Sequence, residues 1–262
     1  MTRHSRVIVL AATLGASPVQ AQSWSPLATD VFSSVGSVEL SSAATWRGLD
    51  RGRGRLAVGG AVSEGGPGAG SVITVLGVGG QTSVMKRTTV TDMLNAFVTV
   101  AYQVDDANNL VWGTLGGMLL PGADVNQSTV DGGGGVRFAL PVWLPERHPR
   151  VIIEGAYDFS RYKAAYVRAA LRLDYKLATT VGAFIEGGYA MSGLPGADAT
   201  GSVPFGSHGV DVTLTVVHQT DPAKVSTGQP TVSVEPYFRA NWMRRNKDPN
   251  VFDLGVKLAV VR

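Results

Sequence analysis

The segment 166–177 sets the strongest limit on how this chain can fold. Val167, Ala169, Leu171, Leu173, Tyr175 and Leu177 alternate with Tyr166, Arg168, Ala170, Arg172, Asp174 and Lys176. Successive side chains of a strand point to opposite faces, so one face here is apolar and the other carries four charges. On a helix the same charges would spread round the axis and define no face. Twelve residues exceed the usual strand of about 5–6 and suit the roughly 9–11 of a membrane-crossing strand.

The pattern recurs along the chain. Leu94, Ala96, Val98, Val100, Tyr102 and Val104 oppose Asn95, Thr99 and Gln103 in 93–104. Similar alternation marks 150–159, 208–218, 230–242 and 251–261. Further strands are expected at 35–47, 129–142 and 180–191, and at 55–63, 71–79 and 110–119, where glycine blurs the faces. That makes twelve. Pro141 and Pro236 fall inside two of them and demand a strand end or a bulge, because proline donates nothing to a ladder. Connections after odd-numbered strands come out longer than those after even-numbered ones, as expected of outer loops against periplasmic turns.

Composition narrows the class. Hydrophobic residues make up 44% of the chain and charged residues 16%, which excludes disorder over most of its length. The absence of cysteine excludes a disulfide framework, a thiolate metal site and a cysteine nucleophile. Arg3 and Arg6 precede the apolar run 7–16, and Val19-Gln20-Ala21 suits cleavage after Ala21, so 1–21 reads as an export signal peptide. The remaining domain, 22–262, has 241 residues and a net charge near +1. No segment of eighteen apolar residues suggests a membrane-spanning helix.

Two architectures share this alternation. A soluble sandwich buries the apolar face and wets the other, while a membrane barrel turns the apolar face to lipid and the polar face to a lumen. The export signal, long strands, even count and aromatic strand ends favour the barrel: an all-β fold, an antiparallel transmembrane β-barrel of about twelve strands. Trp46, Tyr102, Trp112, Tyr157, Tyr175, Tyr189 and Trp242 are the expected aromatic girdle, with Phe159, Tyr166 and Phe252 beside them. On this register Glu154, Asp158, Arg168, Arg172, Asp174, Lys176, Glu186, Glu235, Arg239, Asp253 and Lys257 line the lumen, joined by Glu39, Arg47, Asp131, Arg137 and Asp211. These are seven positive against nine negative charges, so ion selectivity should be weak.

At 35–60 the chain reads as a strand ending Trp46-Arg47-Gly48, a Gly/Arg loop and a second strand ending Gly59-Gly60. This resembles the first hairpin of the TorF-like family of outer-membrane porins, over about fifty residues. The resemblance implies a channel-like barrel in the cell outer membrane and brings no catalytic residues.

A search for chemistry returns little. There is no Gly-x4-Gly-Lys-Ser/Thr loop and no His-Glu-x-x-His motif, and Gly132–Gly135 lacks the strand–helix setting of a dinucleotide site. His148, His208 and His218 have no metal-ligand spacing, so neither metal nor cofactor is expected. Ser207-His208 could suggest an outer-membrane lipid hydrolase, but neighbours on a strand point to opposite faces. Arg47, Arg51, Arg53 and Arg55 surround the first connection, and Arg244, Arg245 and Lys247 fill the last. In a closed barrel these lie side by side and would attract anionic lipid headgroups. The expected function is a passive diffusion channel for small solutes, not an enzyme. The alternatives are a structural or adhesive barrel, a lipid hydrolase or a secreted soluble β-protein.

Overall fold

Twelve amphipathic segments joined by short connections can each pair with their chain neighbours, and they do. The structure is a computed structural model that describes residues 34–46, 49–65, 68–85, 93–105, 107, 109–119, 128–140, 149–161, 163–193, 207–220, 229–244 and 250–261. The strands are β1 (Ser34–Trp46), β2 (Leu49–Glu64), β3 (Val72–Met85), β4 (Met93–Gln103), β5 (Leu110–Leu119) and β6 (Thr129–Ala139). They continue with β7 (Arg150–Asp158), β8 (Ala165–Lys176), β9 (Val181–Ser192), β10 (Ser207–Gln219), β11 (Thr231–Arg244) and β12 (Val251–Val261). All neighbours pair antiparallel, and β12 pairs back onto β1 from Val35↔Val261 to Ser41↔Gly255, closing a barrel. Closure leaves no edge of unpaired N–H and C=O groups, the condition for a sheet to stand in lipid.

The faces are inverted relative to a soluble protein. In β5, Leu110, Trp112, Thr114 and Met118 are buried while Val111, Leu115 and Leu119 are exposed. Leu40, Val58, Leu76, Val100, Leu171, Leu214 and Leu254 are likewise exposed on the outside, while Glu39, Arg55, Glu154, Arg172 and Asp253 are buried inside. A sandwich would bury the first group; the barrel turns it outward.

Two strands are longer than the alternation suggested. β2 begins at Leu49 and β3 runs to Met85, held by pairs such as Arg55↔Ser83 and Ala57↔Gln81. Glycine hides the side-chain period but not the backbone's ability to pair. The extension consumes the first connection, because Trp46 pairs with Leu49 across two residues. Connections after odd strands run 2, 7, 9, 6, 14 and 6 residues, and those after even strands 7, 6, 10, 4 and 11. The expected difference between the two ends is therefore overturned, and length does not distinguish them.

Both prolines are accommodated. β6 stops at Ala139, before Pro141. Pro236 sits within β11 opposite Val256, where the ladder to β10 lapses between Thr215↔Tyr237 and His218↔Val234. The missing N–H thus falls where no bond is made. In β6, a Cβ at Gly133 would stand 2.4 Å from the Gly155 carbonyl and one at Gly134 2.4 Å from that of Trp112. The glycine run lets β6 approach both neighbours.

Candidate functional site in the barrel interior

The interior polar groups gather on two walls. On the first, Arg168 of β8 reaches across β9 to β10. Its Nη1 donates to Glu186 Oε1 at 2.8 Å, while Nε and Nη2 grip Asp211 Oδ1 and Oδ2 at 3.0 and 2.6 Å. Gly188 clears the path, since a Cβ there would stand 3.0 Å from Arg168 Nε. Glu154, the cross-strand partner of Arg168, lies 3.6 Å from Nη1. One guanidinium therefore serves three carboxylates. The planar fork makes a bidentate grip possible, which a lysine could not reproduce.

The second wall joins β1, β2, β11 and β12. Arg55 pairs with Glu39 and donates from Nε to Ser41 Oγ at 3.1 Å. Tyr237 Oη donates to Glu39 Oε1 at 2.5 Å. Its ring lies against Gly255, where a Cβ would stand 2.3 Å from Tyr237 Cζ. Beyond the last β1–β12 pair, Asp253 Oδ1 accepts from Ala43 N at 3.0 Å and Ser42 Oγ at 3.1 Å, so a side chain extends the closure of the barrel. Arg239 lies 3.8 Å from Asp253, and Lys257 is 3.0 Å from Glu235. Buried charges need such partners, because an isolated one would cost several kcal/mol in desolvation.

The remaining expected lumen residues are placed as follows. Arg172 bonds Asp174 at 2.9 Å and stacks 3.9 Å over the Phe184 ring, and Arg150 approaches Asp174 at 3.8 Å. Asp131 and Arg137 are buried on the inner face of β6. Asp158 is inside but spent on a turn, with Oδ1 accepting from Ser160 N and Arg161 N at 3.1 and 2.9 Å. Lys176 keeps the inward parity of β8 but is the last residue of the strand and exposed, so it stands at the end of the barrel and not among the buried interior charges. Arg47 lies outside the described residues. Arg55 is not a loop residue but 1% exposed within β2, because the strand starts six residues earlier than its pattern showed. Arg150 and Thr114 were also missed, although each keeps the inward parity of its strand, while Thr99 and Tyr237, on the polar parity of theirs, also point inward, and Thr99 shares a hydrogen bond with Thr114. Among the described residues the interior retains seven positive charges, with Arg55 and Arg150 replacing Arg47 and Lys176, against nine negative.

The aromatics divide. Tyr102, Tyr157, Tyr189 and Trp242 are exposed on the outer face with Phe159 and Phe252, and Tyr175 stands half-buried on that side. Trp242 meets Phe252 edge-on at 6.1 Å, and Phe238 stacks on Phe252 at 6.5 Å. Trp112 is not a girdle residue: it is buried on the inner face, as is Tyr166, because both share parity with the inward side chains of their strands. The backbone of Trp46 ends β1, but its side chain lies outside the described residues, as do those of Arg51, Arg53 and Arg244. Arg245, Lys247 and His148 fall outside them altogether. His208 is exposed on the outer face and shares a 2.8 Å hydrogen bond with Tyr189 Oη.

No family model matches the chain, so the TorF-like resemblance of the first hairpin gains no support there. No curated protein matches it either. Its fold is similar to that of an outer membrane channel from Pseudomonas putida F1, with a TM-score of 0.55 and 11% identity over 89% of this chain and 96% of that one. It is also similar to the NanC porin, with a TM-score of 0.51 and 8% identity over 87% of this chain and 98% of that one. At such identities the likeness is one of architecture: this chain has the closed antiparallel twelve-strand barrel of outer-membrane proteins.

Proposed function

We propose that this chain is an outer-membrane β-barrel acting as a porin-like passive diffusion channel for small solutes. The observation that carries the reading is the inversion of its faces, with leucine and valine exposed outside and ion pairs buried inside. Only a medium without water rewards that outer face, and the polar inner face offers a path across it. The fold likeness to a channel and a porin supports the same reading. An export signal at 1–21 would deliver the domain 22–262, and no chemical step is involved. The start of β2 and the end of β11 lie near one rim because β1 pairs with both β2 and β12, so Arg51, Arg53 and Arg244, with Arg245 in the connection that follows, would meet anionic headgroups there.

One observation favours a second reading, a barrel that does not transport. Arg55 and Asp253 are each only 1% exposed, so ion pairs fill much of the interior. Reconstitution separates the two. Stepwise conductance in planar bilayers, or swelling of proteoliposomes in small sugars, is expected of a channel. Folded barrel at high density with neither response would end the channel reading.

A further inference from the structure

We propose that the junction of β1 and β12 is a lateral portal, through which the phosphate head of a membrane lipid enters the barrel wall while its chains stay in the bilayer. The proposal rests on the membrane placement of the barrel and not on conduction. Backbone pairing between the two strands stops at Ser41↔Gly255, although β1 runs on to Trp46 and β12 begins at Val251. The other ladders of these strands continue: β11 stays paired with β12 to Asn241↔Val251, and β2 with β1 to Trp46↔Leu49. The first hairpin is bent at the same level. Gly54, opposite Ser42, has a φ of 63°, and the β1–β2 register shifts between Ala44 and Thr45. Such irregularities bend a strand, so the end of β1 departs from the line of β12.

Side chains fill the gap. Leu254 N donates to Ser42 Oγ at 2.9 Å, and Ala43 N donates to Asp253 Oδ1 at 3.0 Å. Ser42 Oγ in turn donates to Asp253 Oδ1 at 3.1 Å. In a regular ladder backbone carbonyls would accept these N–H bonds. Here a hydroxyl from the outer face and a carboxylate from the inner face take their place. Ser42 is exposed on the outside, near Leu40 and Leu254, which are 53% and 64% exposed. Polar groups therefore run from the lipid face to the interior through this seam. Behind it stand two guanidinium groups. Arg55 Nη2 donates to Tyr237 Oη of β11 at 3.3 Å, across β1 and β12, and Arg239 Nη1 lies 3.8 Å from Asp253 Oδ2. Arg55 is buried, and its Nη1 has no hydrogen-bond partner. An anionic oxygen thus already bridges the parted strands, and a lipid phosphate offers several such oxygens to the same donors. Parting the seam breaks side-chain bonds and no backbone ladder, so it costs less than opening a paired stretch.

The chain has no cysteine, so a single introduced one reports the opening. The probe is a phospholipid with a maleimide on its phosphoethanolamine head, mixed into liposomes that hold the refolded barrel. Its chains keep it in the bilayer, so it reaches an inner cysteine only through the wall. Ala43 faces inward beyond the last β1–β12 pair, and Met118 faces inward near the same rim within the β4–β5–β6 ladder. Ala43→Cys should form the lipid adduct about tenfold faster than Met118→Cys, because local opening there breaks no ladder. Ala259→Cys, on the inner face of the paired half of β12, should react as slowly as Met118→Cys. Ser42→Ala, added to Ala43→Cys, removes the hydroxyl that joins the strands and should speed the reaction severalfold. Val251→Cys, on the facing strand, reads the same opening should Ala43→Cys not assemble. Intact mass follows every adduct. Equal rates for Ala43→Cys and Met118→Cys, or no response to Ser42→Ala, overturn the portal. Leu119→Cys on the outer face is the reference. Its labelling beside an unreactive Ala43→Cys ends the portal and leaves the membrane barrel standing, whereas an unreactive Leu119→Cys ends the membrane reading as well.

Discussion

Glu39 accepts bonds from both Arg55 and Tyr237, and each of these three side chains depends on the others. Removing one member of a buried pair strands the other charge, at a cost of about 3–5 kcal/mol, whereas replacing both by apolar groups is often close to neutral. Glu39→Leu should therefore lower the stability of the folded barrel by about that much, and Glu39→Leu with Arg55→Met should recover most of the loss. Urea unfolding in detergent micelles, followed by tryptophan fluorescence, measures both. A double variant no more stable than the single one would mean that Arg55 keeps its charge satisfied elsewhere. Parity exposed Glu39 in the sequence, because it sits among alternating residues. Arg55 escaped because it is flanked by glycines and arginines that imitate a loop.

β8 was the clearest strand in the sequence, and it provides the sharpest test of faces. Leu171 is 44% exposed on the outside and Arg172 is 2% exposed inside. Leu171→Arg near the midplane should cost about 2–4 kcal/mol and slow assembly. Arg172→Leu should leave insertion intact, because Asp174 keeps Arg150 within reach at 3.8 Å. Heat-modifiable electrophoretic mobility after refolding into liposomes reports both, and the opposite order would mean that the barrel faces are reversed. Strands such as β2 and β3 were harder to delimit. Their ends are decided by cross-strand pairs such as Arg53↔Met85, which a single segment does not reveal. Trp112 shows the same limit: an aromatic near a strand end suits either face until its neighbours settle the parity.

For the whole molecule, two outcomes follow from the inverted faces and the interior charges. The protein should fractionate with outer membranes and resist extraction by high salt, and recovery in the soluble periplasm would end the membrane assignment. The interior balance of seven against nine charges implies a weak cation preference, weaker still at high salt because the Debye length is already about 10 Å at 0.1 M. Arg168→Gln with Arg172→Gln removes two cations and frees Glu154, Glu186 and Asp211, so the preference should strengthen. Reversal potentials across a salt gradient measure it. No shift in the double variant would show that the β7–β10 wall does not line the conducting path.

The sequence by itself determined that this chain is a set of twelve amphipathic strands with charges on one face. That information is local, since period two is written into each segment and needs no partner to be read. Alternation alone leaves open which face meets water, because a sandwich and a barrel demand the same pattern; the export signal, strand length, even count and aromatic strand ends favoured a barrel with its charges inward. Only the tertiary structure decided it, through the pairing of β12 with β1, which closes the sheet and turns its charged side inward. It alone also brought Arg55 to Glu39, Arg168 to Asp211 and Trp112 into a cluster of buried apolar residues. These contacts depend on the offsets between strands, and on glycines such as Gly188 and Gly135 that let a long side chain cross a neighbouring strand. Such offsets are set by backbone pairing between strands, and no single strand encodes them.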